Sequence, residues 1–154
     1  HYGYDEFFKK CQETGVDGII IPDCPYEESK EVSDICYKYD VDLISMIAPT
    51  SKERTLEIAA QAKGFIYLVS SMGVTGMRSN IVTDIEGIVE SIKTVTDTPV
   101  AVGFGINSPA QVKHFGNIAD GVIVGSAIVN LIKEHGDRAH QPLFNYIQTL
   151  IKEL

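Results

Sequence analysis

Five short apolar runs, each followed by a stretch with helical spacing, constrain this chain more than any other feature. The runs are Gly18–Pro22, Leu43–Ile47, Phe65–Val69, the stretch from Pro99 and Gly121–Val124. They are continuous rather than alternating, which marks strands covered on both faces. Between them, apolar residues recur at helical spacing: Phe7, Phe8 and Cys11 within Asp5–Thr14, then Val32, Ile35, Cys36 and Tyr39 behind Glu27. The clearest such stripe is Ile85, Ile88, Val89, Ile92 and Val95. Thr50 with Glu53, and Thr83 with Glu86, have capping-box spacing and open two of the helices. His135 to Gln141 reads as a loop, and Pro142 starts a terminal helix with Leu143, Tyr146, Ile147 and Leu150 inward. The order αβαβαβαβαβαα with short connections implies a parallel sheet with right-handed crossovers. Residues 1–154 read as a single domain. Five strands suffice for an open sheet but not for an eight-stranded barrel, which takes ~250 residues. The pattern alone fits either a small α/β sheet or the C-terminal part of a βα-barrel.

The net charge of −8 argues against a nucleic-acid or anionic-membrane surface, since both require clustered Lys and Arg. No apolar run approaches the ~20 residues of a membrane span. Cys11, Cys24 and Cys36 are an odd set without metal or redox spacing, so the expectation is reduced thiols in a cytoplasmic protein. The four histidines have no metal spacing, and Glu27-Glu28 reads as solvated charge.

Two junctions point to chemistry. Pro99-Val-Ala-Val-Gly-Phe-Gly-Ile-Asn-Ser-Pro109 is a strand running through Gly103, Phe104 and Gly105 into a helix, with Ser108 as N-cap and Pro109 at the first helical position. Gly121-Val-Ile-Val-Gly125-Ser126 repeats the device in shorter form. Either alone suits an ordinary tight turn. Consecutive copies place free N–H donors at two helix starts, which suits a phosphate and favours the barrel, where that site lies on the last strands. The loop Ser70–Asn80 is long and polar, with Gly73 and Gly76 as hinges, Thr75 as a latch and Arg78 as a mobile charge; it suits a lid or plain surface. Tyr67, on a buried strand, suits core or pocket wall. Asp23 follows a strand, where barrel enzymes place catalytic groups, yet a turn role fits it equally. No other general acid or base stands out.

Leu68-Val-Ser-Ser-Met-Gly-Val-Thr-Gly76, Val102-Gly-Phe-Gly-Ile106, Val124-Gly-Ser-Ala-Ile-Val129 and Ile20-Ile-Pro-Asp-Cys-Pro-Tyr-Glu-Glu28 together resemble the tryptophan synthase alpha subunit, a TIM (β/α)8 barrel lyase. The resemblance runs end to end and implies about five C-terminal βα units with parallel strands. It implies retro-aldol cleavage of indole-3-glycerol phosphate to indole and glyceraldehyde 3-phosphate, without a cofactor or metal. Indole would then pass to a beta subunit docked near Pro25, in a heterotetramer. By the same resemblance, Gly103, Phe104, Gly105, Gly125 and Ser126 bind the phosphate, with Gly76 beside it. Tyr67 lies near the reacting atoms, Thr75 latches the closed lid, and Ile20, Pro22 and Met46 line the indole end. The family's catalytic Glu and Asp would precede His1, so this chain alone is expected to bind phosphate weakly and not turn over. In relatives an Arg can stand where the lid here has Ser71-Met72. A non-catalytic phosphate-binding half-barrel and another phosphate-barrel isomerase are the rival readings.

Overall fold

The computed structural model describes residues 2–49, 51–70 and 84–154. Helix α1 (Tyr4–Glu13) leads into β1 (Gly18–Ile19) and α2 (Ser29–Lys38). Then come β2 (Asp42–Leu43), β3 (Ser45–Ile47), α3 (Lys52–Gln61) and β4 (Ile66–Val69). After α4 (Ile85–Lys93) follow β5 (Val100–Gly103), α5 (Pro109–Gly116) and β6 (Gly121–Val122). The chain ends with α6 (Ser126–His135), a 3-10 turn (Gly136–Arg138) and α7 (His140–Ile151). Every strand pair is parallel: β1 with β2, then β3, β4, β5 and β6 side by side.

The expected strand Leu43–Ile47 is shared between two neighbours. Its first part pairs with β1 and its second with β4, while the Ile44 amide between them donates to the Ile19 carbonyl at 2.9 Å. Residues 42–47 therefore join the two ladders into one run of five βα units, the architecture of part of a (β/α)8 barrel. The apolar run Gly18–Pro22 pairs only over Gly18–Ile19. Pro22, lacking an N–H, cannot prolong a ladder.

Strand alternation sets two faces. Ile66, Leu68, Val100 and Val102 are fully buried against the helices, with Ile47, Val89, Ile92 and Val112. Met46, Tyr67 and Ala101 lie side by side in register on the other face, and all three are half-buried. A second core under α1 and α2 gathers Phe8, Cys11, Val32, Cys36 and Val41. All three cysteines are free thiols, and burial pushes Cys36 up to about 11.

Several boundaries differ from expectation. Ser51 and Asp84, not Thr50 and Thr83, cap α3 and α4, accepting from Arg54 N at 3.3 Å and Gly87 N at 2.9 Å. Thr50 and Thr83 lie outside the described residues. The expected loop His135–Gln141 is mostly helical, and α7 starts at His140, with Pro142 in its first turn, where a missing N–H costs no hydrogen bond. Of the four α7 residues read as inward, Leu150 is buried, whereas Ile147 is exposed. α6 buries none of its side chains, and Val129 and Ile132 face outward. Helical spacing reports a stripe; it does not report whether anything covers it.

Candidate active site

The tip of β5 is the best-defined part of the site. The positive φ values here belong to Phe104 (87°) and Gly105 (77°), not to Gly103. Gly103 is glycine for space. A Cβ there would lie 2.6 Å from Tyr67 Cζ and 2.9 Å from Cε1, with the phenol oxygen closer still. Ser70, at the end of β4, holds the turn: its amide donates to the Gly103 carbonyl at 2.8 Å and its hydroxyl to the Phe104 carbonyl at 2.6 Å. Phe104 thus keeps a left-handed backbone that a bulky residue rarely adopts, with its ring half exposed to solvent.

Ser108 caps α5 in a full capping box with Gln111. The Gln111 carboxamide oxygen accepts from the Asn107 and Ser108 amides at 3.0 and 3.2 Å. This leaves α5 a poorer anion site than the sequence suggested, because its cap already engages those donors. α6 is different. Gly125 occupies its N-cap position without a side-chain cap hydrogen bond, and Ser126 is its first helical residue. Its first-turn amides carry the helix dipole's positive end. Gly105 and Ser126 line one cleft of about 370 Å³, together with Asn107, Asn130, Glu134 and Tyr146. Glu134 makes its end of the cleft unfavourable for an anion, so the Gly105–Ser126 end is the receptive one. Asn130 and Tyr146 escaped the sequence reading; Tyr146 counted there only as an inward apolar position. Its hydroxyl donates to the Asn107 carbonyl at 2.9 Å, pinning α7 to the β5–α5 turn, and burial raises its pKa.

A second cavity, of about 310 Å³, lies between α2 and α3 and reaches the strand tips. Pro22 and Met46 line it; Ile20 does not, and is exposed. Among the described residues, no charged side chain contributes to its walls. Asp23 is an exposed turn residue beside it. Thr75, Gly76, Gly73 and Arg78 lie outside the described residues. Among the described residues, no group of three or more His, Cys, Asp or Glu is placed to hold a metal, and no helix is long and apolar enough to cross a membrane.

The family model for the tryptophan synthase alpha chain matches residues 1–153. The chain belongs to that family. The tryptophan synthase alpha chain of Lacticaseibacillus casei is 48% identical over 138 residues, covering 90% of this chain and 52% of the relative. That of Lactiplantibacillus plantarum is 52% identical over 135 residues, covering 87% and 51%. Among solved structures, the Mycobacterium tuberculosis tryptophan synthase chain superposes with a TM-score of 0.83 at 35% identity, covering 99% of this chain and 57% of that one. A chain of the Pyrococcus furiosus tryptophan synthase α2β2 complex gives 0.82 at 30% identity, covering 97% and 60%. The chain therefore spans about half the length of the curated relatives it matches.

Proposed function

We propose that this chain serves the alpha reaction of tryptophan biosynthesis, cleaving indole-3-glycerol phosphate to indole and glyceraldehyde 3-phosphate. The observation that carries the reading is the pairing of two unlike cavities on a single run of βα units. One offers turn and helix-start amides at Gly105 and Ser126; the other, beside Pro22 and Met46, is uncharged. A substrate with a phosphate at one end and a neutral aromatic ring at the other suits that pair.

In this reading Phe104, Gly105, Gly125 and Ser126 hold the phosphate, Gly103 makes room for Tyr67, and Tyr67 faces the reacting carbons. Pro22, Met46 and Ile20 bound the ring. Thr75 and Gly76 belong to a lid that closes over the phosphate. Cleavage breaks the bond between indole C3 and the glycerol chain: a proton goes to C3 and another leaves the adjacent hydroxyl, yielding the aldehyde. In this reading the carboxylates moving those protons are the Glu and Asp that the family resemblance implies. No cofactor takes part. Indole passes to a beta subunit docked near Pro25, and the reaction is cytoplasmic.

The test is indole release from indole-3-glycerol phosphate by the full-length gene product with its beta partner. Equal amounts of indole and glyceraldehyde 3-phosphate support the reading; an isomerised phosphate ester, or no product, overturns it. The 154-residue chain alone binds glycerol 3-phosphate weakly and releases no indole.

A further inference from the structure

The segment after β1 is tied to α3 by side chains across the uncharged cavity. Helix α3 packs on α4 and α2 packs on α1, and the cavity lies between α2 and α3. Arg54, in the first turn of α3, sends two guanidinium nitrogens to the Glu27 carboxylate, at 2.5 and 2.9 Å. Such a forked pair needs the planar arginine group. The same guanidinium lies 5.5 Å from the centre of the Tyr26 ring, a cation–π contact. Further along α3, Gln61 Nε2 donates to the Tyr26 hydroxyl at 2.7 Å. The Ser29 hydroxyl donates to the Tyr26 carbonyl at 2.6 Å, joining this segment to the start of α2. Glu27, read from the sequence as solvated, is thus one half of a bridge.

Tyr26 and Gln61 line the cavity, as do Pro22 and Cys24. The bridge therefore spans the seam between α2 and α3, and its Tyr26 and Gln61 share the cavity's lining with Met46. We propose that Arg54 is a positioning residue: through Glu27 and Tyr26 it fixes the 20–28 segment as part of that lining, and so sets affinity for the neutral aromatic end of the ligand. The ligand's identity rests on the functional reading above; the bridge does not. With Arg54 shortened, Glu27 becomes an unpaired charge beside an uncharged cavity, and Tyr26 loses the group stacked over it. Binding must then order a looser segment, which weakens it.

The test compares the full chain with Arg54→Met and Arg54→Lys variants. Indole and glycerol 3-phosphate are titrated separately by NMR, and amide exchange is measured over 23–28. Arg54→Met weakens indole about fivefold, the most a solvent-exposed pair supports. It leaves glycerol 3-phosphate unchanged and speeds exchange over 23–28. Arg54→Lys keeps the charge but loses the fork, and falls between wild type and Arg54→Met in both readouts. Unchanged exchange in Arg54→Met overturns the proposal, as does equal weakening of both probes or a Lys variant that matches wild type. Should the wild-type chain bind neither probe, the functional reading fails, while the exchange comparison still decides the role of Arg54.

Discussion

Replacing Gly103 by Ala tests why the β5 tip is built as it is. The backbone there is ordinary, so a methyl group meets no conformational objection; it meets the Tyr67 ring, with Cζ 2.6 Å from the new carbon. Ordinary van der Waals contact begins at 3.4 Å, so the ring must retreat by nearly an ångström. The backbone cannot easily yield instead, because the Gly103 carbonyl accepts from Ser70 and the strand pairs with β4. Overpacking of this kind costs roughly 1–3 kcal/mol. For a chain of this size, about 2 kcal/mol lowers Tm by roughly 4–8 °C. In a Tyr67→Ala background the obstruction is gone. The same change is then neutral or stabilising by about 0.4–1 kcal/mol, because alanine restricts the unfolded chain. Thermal or urea unfolding of the four proteins, followed by circular dichroism, gives the coupling directly. Equal cost of Gly103→Ala in both backgrounds would refute the spatial explanation.

Other expectations follow from single contacts. The Glu27 carboxylate titrates at about 2, drawn below its ordinary value of 4.5 by its hydrogen bonds to Arg54. Because the folded pKa is depressed, the stability that pair contributes is complete above about pH 4.5 and is lost as pH falls through about 2. NMR titration of the Glu27 side chain reads this, and Arg54→Met returns the midpoint to the ordinary range. Phe104→Gly relieves a positive φ while removing a ring that is half exposed, so stability holds or rises by up to ~1 kcal/mol. A loss of more than ~1 kcal/mol in urea unfolding would show that the ring is packed more tightly than its exposure indicates. Asp120 accepts from the Val100 amide at 2.8 Å and pairs with Lys93 at 2.7 Å, contacts that lower its pKa. Asp120→Ala therefore frees the first amide of β5 and costs about 1 kcal/mol, the residue being half exposed. Faster exchange of that amide accompanies the loss.

Local pattern carried the element order well because each βα unit has its own periodic code. The Ile85, Val89 and Ile92 stripe is buried, and Ser108 with Pro109 starts α5 as its spacing requires. Long-range reasons were beyond such a reading. Gly103 answers to Tyr67 on the neighbouring strand, and Glu27 to Arg54, a partner 27 residues away. The division of 42–47 between two neighbours depends on where β1 stops pairing, which Pro22 hints at but cannot specify. Val129 and Ile132 form an apolar stripe like those of buried helices, and only the neighbours of α6 decide its exposure. At the two strand-to-helix corners, glycine spacing located the turn. It did not show that the Gln111 side chain engages the amides leading into α5, leaving α6 the more open helix start.

The claim on which the functional reading rests is that a single anion sits between the β5 turn and the start of α6. Titration of the amide-labelled chain with glycerol 3-phosphate tests it most directly. The account predicts that the amides of Gly105, Gly125 and Ser126 shift together, with one shared dissociation constant. Shifts confined to other surfaces, or separate constants for the two corners, would contradict it.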